Sequence, residues 1–246
     1  MDPMARGGVR RYLDTTHPEE YQPNTGEVNL KELSLTGLAD LYGSDKGTIK
    51  HNYAIVYERV VKEIMALNSQ KRFEAHINVG EVGVACGASL RMWANYLPAG
   101  KIFGFDIRPD CGKLCEDLDN VSIIIQDASK LGSLNQYNSF FDLFVDDGSH
   151  ISEDIVATFE SCWQWVKPAG FYIIEDLSCT YKEEYTQSFK HTFGRDVKNK
   201  RETFLILVDA LMKHCDTKKA SIEYMEYHPQ LLVIRKKLDE KLKSSV

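Results

Sequence analysis

The sequence contains no apolar run approaching the roughly 20 residues that a membrane-spanning helix requires. Its opening stretch, MDPMARGGVRRY, has basic residues but no apolar segment behind them. Neither a membrane anchor nor a secretory leader is therefore expected, and a cytoplasmic location is. Positive charge is also short: 30 Lys and Arg stand against 36 Asp and Glu, a formal net charge of -6. That balance offers no footprint for a polyanion and disfavours nucleic acid as a partner. The six cysteines, Cys86, Cys111, Cys115, Cys162, Cys179 and Cys215, lack both paired CxxC spacing and the density of a disulfide scaffold, so reduced thiols are expected. No internal repeat is visible. What is present is a chain of 246 residues, 43% hydrophobic, sufficient for one substantial core.

The first 34 residues are polar, with Pro3, Pro18 and Pro23, and read as an arm or cap; residues 35–246 read as one domain. Within it, helical and strand patterns alternate. A short helix in LTGLADLYG leads through SDKGTIKHN to the helix YAIVYERVVKEIMAL. Five apolar strands follow, HINVGEVG, KIFGFDI, VSIIIQD, FFDLFVDD and FYIIEDL, separated by helices expected in GASLRMWANYL, Cys111–Leu118, Ser129–Leu134 and SEDIVATFESCWQWV, the last closed by KPAG. Strands apolar throughout and separated by helices imply an α/β doubly wound, mostly parallel Rossmann-like sheet covered on both faces. After the helix ETFLILVDALMKH, ASIEYMEYH and QLLVIRKKL are joined only by HPQ, which predicts an antiparallel hairpin and seven strands in all. Five alternating strands followed by a hairpin resemble the methyltransferase variant of the doubly wound sheet.

The segment VGEVGVACGASL places Glu81 and Gly83 at the end of the first strand and Ser89 at the entry to a helix. Glycine there lets backbone approach a ligand, and the helix start offers free N–H donors. The full GxGxxG spacing is missing, and Glu81 suits an ammonium better than a pyrophosphate. Asp106 ends the second strand, where an acid can bind ribose hydroxyls, and Asp127 ends the third, placed toward an adenine; each could instead cap a helix. Acids ending successive strands fit S-adenosylmethionine, whose reactive end is cationic. Ser89, Asp146 and Lys46 are grouped with this cofactor side.

The fourth strand ends in DDGSH and the fifth in EDL, at the same sheet edge. Asp146, Asp147, Glu175 and Asp176 would repel one another there unless a cation neutralised them, and oxygen ligands suit magnesium, with manganese or calcium as alternatives. The competing reading is that Asp147 and Asp176 cap the following helix or turn. His150, with an unperturbed pKa of about 6.5, is the best general base near those acids.

YGSDKG, the following HNY with Tyr57 four residues on, EVGV, DDGSH and EDL together resemble the metal-dependent sugar O-methyltransferases of macrolide and rhamnosyl-antibiotic tailoring, relatives of the mycinamicin and macrocin enzymes. The similarity runs in order from about Leu38 to the final hairpin. The resemblance implies magnesium held by Asp147, Glu175 and Asp176, with His150 as base, and methylation of a sugar hydroxyl, for instance on rhamnose, by direct displacement. It leaves Asp146 without a part in metal binding or proton removal. The chain has no room for the large N-terminal domain of some macrolide enzymes, so their assembly does not carry over, and homo-oligomerisation is left open.

Tyr42 and Tyr53, in and beside the 42–53 loop, and Tyr181, in a long polar stretch at 177–200 that reads as a candidate lid, are candidate contacts for the sugar; Tyr185 is a further aromatic in that stretch. Alternatives to the sugar enzyme are a catechol-type O-methyltransferase and a non-catalytic S-adenosylmethionine-binding protein. An oxygenase-related component is disfavoured because only one histidine lies among the strand-end acids.

Overall fold

A computed structural model describes residues 28–130, 135–181, 199–217 and 221–238. Much of the N-terminal arm and residues 182–198 of the candidate lid, Tyr185 among them, lie outside the described residues. The described chain forms helices α1 (Leu35–Leu41) and α2 (Ala54–Leu67), strand β1 (Asn78–Val82), α3 (Ala88–Tyr96), β2 (Lys101–Asp106), β3 (Val121–Ile125), β4 (Phe141–Asp146), α4 (Ser152–Cys162), β5 (Val166–Ile174), α5 (Arg201–Asp216), β6 (Ile222–His228) and β7 (Leu231–Lys236).

The strands form one seven-stranded sheet in the order β3-β2-β1-β4-β5-β7-β6. β1 to β5 pair in parallel, while β7 runs antiparallel to both β5 and β6. The central strands are apolar on both faces because both faces are covered. Leu143, Val145, Phe171 and Ile173 pack with α1, α2 and α3; Phe144, Tyr172 and Ile174 pack with α4 and α5. No helix among the described residues is long and apolar enough to cross a membrane.

The expected helix at Cys111–Leu118 is instead a short 3-10 turn, Pro109–Lys113. Gly112 is a weak helix former, Leu114 is extended, and Cys115 has a left-handed φ of 63°, so an α-helix cannot propagate. Near Ser129–Leu134 only a 3-10 turn at Ala128–Lys130 is seen, and residues 131–134 lie outside the described set. Helix α4 ends at Cys162, before a 3-10 turn at Trp163–Trp165, and the KPAG stretch already belongs to β5. A register shift between Phe141 and Leu143 accommodates Pro168 there, since a bulge releases the ladder position that proline cannot fill.

Candidate active site

The strand order reverses between β1 and β4, the place at which open α/β sheets bind ligands beyond the C-terminal ends of their strands. Val82 is level with Asp146, and Asp146 with Ile174. The ladder continues one step further, with Asp147 N–H donating to Val82 O at 3.1 Å and Glu175 N–H to Asp146 O at 3.0 Å. Asp147 and Glu175 thus stand at one rim. Gly83 turns away from that rim at φ +92°, and a Cβ on it would lie 2.1 Å from Asp147 O, so only glycine lets the two chain segments approach this closely.

Donors reach the acids from the chain preceding the sheet. Lys46 Nζ lies 2.5 Å from Asp147 Oδ2 and 3.2 Å from Glu175 Oε2, with both Lys46 and Glu175 at most 2% exposed. Tyr57 OH donates to Glu175 Oε1, and Tyr53 OH donates to Asp176 Oδ1 at 2.7 Å. His51 stacks on Tyr53 with ring centroids 5.0 Å apart and brings Nε2 to 3.7 Å from Asp176 Oδ1. Burial, and then Asp176, push the Tyr53 phenol far above its ordinary value, so it stays a donor. Both carboxylate oxygens of Glu175 are therefore engaged by protein donors.

Three other groups converge beside them. His150 Nε2 lies 3.8 Å from Asp147 Oδ1 and 3.8 Å from Asp176 Oδ2, and one donor atom from each of these residues falls within 4.8 Å of the others. His150 and Asp176 have left-handed backbones, with φ of 56° and 53°. Seven other non-glycine residues among those described share that backbone, so here it orients the two side chains without itself marking the site. Burial lowers the His150 pKa, with Asp176 opposing, which favours the neutral imidazole a general base requires. Burial and then Glu175 push the Asp147 carboxyl up, with Lys46 opposing. The rim holds more carboxylate than one ammonium neutralises, and this donor set fits a hard divalent cation. Asp147 does not cap α4, whose N-cap is Ile151 without a side-chain bond.

On the cofactor side, Glu81 is fully buried, receiving Ser89 Oγ–H on Oε1 and Trp93 Nε1–H on Oε2 at 2.7 Å. Glu81 and Ser89 are thus turned toward each other beneath the loop. Asp106 Oδ2 accepts the Val84 amide at 3.0 Å and Oδ1 the Arg108 amide at 2.9 Å, so this acid shapes the loop after β1. Asp127 accepts the Ser129 amide and hydroxyl on Oδ1, the capping geometry weighed for it from the sequence. Asp146 is buried, held by the Gly148 amide at 3.3 Å and Tyr172 OH at 3.4 Å. Ile107 and Ile125 are exposed beside the ends of β2 and β3. Exposed apolar surface flanking Asp106, with the helix α3 start carrying no side-chain cap, fits a nucleoside attached to an amino-acid tail.

The proposed sugar contacts separate. Tyr42 is buried in the core near Asn95 and Arg91 of α3, and so is no surface for a sugar; an aromatic before a turn reads alike in either role. Tyr53 is spent on Asp176. Tyr181 is 65% exposed, with the Arg201 guanidinium over its ring at 3.5 Å, leaving the other face accessible. Lys46, expected on the cofactor, is instead ion-paired to acids. One residue with a clear part in the site had no signal in the sequence: Asn199 donates to His150 O and Cys179 O, each at 3.0 Å, and accepts from Ser152 N–H at 2.9 Å and Ser152 Oγ–H at 2.7 Å. It pins the backbone that carries the histidine.

Fold and rim define a doubly wound methyltransferase sheet. Residues 81–177 match the Methyltransf_24 family, described as a methyltransferase domain. The chain is similar to sugar O-methyltransferases. It is 28% identical over 222 residues to 8-demethyl-8-alpha-L-rhamnosyl tetracenomycin-C 2'-O-methyltransferase of Streptomyces olivaceus, covering 82% of this chain and 54% of that protein. It is 35% identical over 167 residues to demethylmacrocin O-methyltransferase of Streptomyces fradiae, covering 64% and 38%. The chain thus spans about half the length, or less, of these curated relatives. The MycE methyltransferase of the mycinamycin pathway, solved with Mg and SAH, shares the fold at a TM-score of 0.66 and 22% identity, covering 87% of this chain and 57% of that one.

Proposed function

We propose that this chain is an S-adenosylmethionine-dependent O-methyltransferase that uses a divalent cation, magnesium first, to methylate a sugar hydroxyl. The observation that carries the reading is the convergence of Asp147 Oδ1, His150 Nε2 and Asp176 Oδ2 at the strand switch. The Streptomyces olivaceus relative is described as methylating a rhamnosyl compound, which supports a sugar-containing acceptor.

When bound, the cation supplies positive charge that lowers the pKa of a sugar hydroxyl, and S-adenosylmethionine supplies the methyl group and keeps the S–CH3 electron pair on sulfur. Asp147 and Asp176 would hold the cation, with Glu175 behind them. His150 Nε2 receives the proton of the reacting hydroxyl. Asn199 fixes the imidazole's backbone, and Tyr53 fixes Asp176. The loop from Gly83 to Gly87 and the start of α3 would hold the amino-acid end of the cofactor, with Asp106 and the isoleucines at its nucleoside end. Orientation of this kind is worth several powers of ten in rate.

The test is transfer of labelled methyl from S-adenosylmethionine to a panel of rhamnosides and other glycosides, with catechols as comparison. Transfer to sugars that stops with EDTA, returns with MgCl2, and is lost in His150→Asn is expected. Chelator-resistant transfer, or a preference for catechols, would overturn the reading.

A further inference from the structure

Lys46 is a fully buried cation in a part of the chain outside the matched methyltransferase domain. Lysine is almost never found so deep unless paired. Its loop is rigidly held. Ala54 N–H donates to Lys46 O at 2.9 Å, Thr48 N–H to Asp40 Oδ1 at 2.7 Å, and a Cβ on Gly47 would lie 2.0 Å from that same oxygen. The ammonium is thus delivered by a fixed backbone to a point between Asp147 Oδ2 and Glu175 Oε2, with Asp45 Oδ1 at 3.6 Å.

We propose that Lys46 is a positioning residue: its ammonium is a built-in cation that bridges Asp147 and Glu175, and so turns Asp147 Oδ1 toward Asp176 and His150 as the face open to a divalent ion. The inference rests on the metal-dependent reading above and adds to it a protein group that shares in neutralising the rim. With Asp45 counted, the four carboxylates of Asp45, Asp147, Glu175 and Asp176 are brought to within one charge of balance by one ammonium together with one divalent ion. Without Lys46, the half-buried Asp147 and the buried Glu175 lose the one lysine or arginine within 4 Å of them among the described residues, and breaking a buried pair is strongly destabilising. Divalent metal then becomes the sole source of compensating charge.

The experiment uses the full chain as wild type, Lys46→Met and Lys46→Arg. Melting is followed in EDTA and in excess MnCl2, and S-adenosylhomocysteine affinity is measured by calorimetry. In K46M the melting temperature in EDTA should fall, and MnCl2 should raise it by about 5 °C or more, against about 2 °C or less in wild type. K46R should restore the wild-type pattern, and S-adenosylhomocysteine affinity should stay within about twofold in all three. A K46M protein that responds to MnCl2 as wild type does, or that instead loses S-adenosylhomocysteine binding, overturns the proposal. Should K46M alone be insoluble, K46M/E175Q, which removes both charges, should recover soluble protein; failure to do so also overturns it. Absence of methyl transfer in a wild type that shows the metal pattern would count against the methyltransferase reading and leave this role of Lys46 supported.

Discussion

The Tyr53 hydroxyl donates to Asp176 Oδ1 at 2.7 Å, joining the N-cap of α2 to the end of β5 across 123 positions of sequence. Asp176 therefore has one oxygen committed to the protein and the other turned toward His150. Outer partners of this kind commonly tune metal affinity by 10- to 100-fold or so. Tyr53→Phe should weaken Mn2+ binding by about 10-fold with S-adenosylhomocysteine affinity unchanged, as read by electron paramagnetic resonance and calorimetry respectively.

Asn199→Ala removes the acceptor for the Ser152 amide and the donor to His150 O. The cost in stability should be about 1–3 kcal/mol by urea unfolding, because a buried N–H is left unpaired. The turnover number should fall more than the acceptor KM rises, since the histidine's placement is disturbed and the binding surface is not.

Gly83→Ala should be among the most damaging single changes. Its Cβ would meet Asp147 O at 2.1 Å at a φ of +92°, so relief requires β1 and the β4 rim to separate. Loss of soluble protein, or an activity at least about 100-fold lower in a folded variant, is expected. Wild-type activity in G83A would contradict the close approach.

Burial raises the Asp146 pKa from 3.8 to about 7, against the Gly148 and Tyr172 hydrogen bonds. The folded chain then binds this proton more tightly than the unfolded chain does, and this group's contribution to stability is lost as pH rises from about 4 through about 7. In EDTA, Asp146→Asn should abolish part of that slope. Relative to wild type, it should be more stable at pH 8 than at pH 5, by an amount on the order of a few kcal/mol. Parallel urea-midpoint profiles for the two proteins would show that Asp146 does not carry it.

The sheet was legible because FFDLFVDD and FYIIEDL are apolar until they reach their acids, so strand ends and rim chemistry are written in adjacent letters. The hairpin was legible from the brevity of HPQ. The alternating pattern misled at Cys111–Leu118, where a left-handed Cys115 ends the helix it suggested. The residues that organise the rim were harder to assign. Lys46 meets its partner 101 residues away and Asn199 meets His150 49 residues away, and local patterning holds no record of contacts made across the fold. Tyr42 and Tyr53 show the same limit, since two tyrosines flanking one loop proved to be a core side chain and a prop for an acid.

The left-handed backbones of His150 and Asp176 also bear on how such a chain would drift if selection on catalysis were lifted. At those two positions glycine keeps the backbone at little cost, and asparagine, aspartate and histidine adopt it more readily than other side chains do. Glycine or asparagine in place of His150 would therefore preserve the shape of the rim while removing the proposed base. The outline of the rim and its chemistry can thus part company, and a chain with the same backbone and no histidine there would be a scaffold without a base.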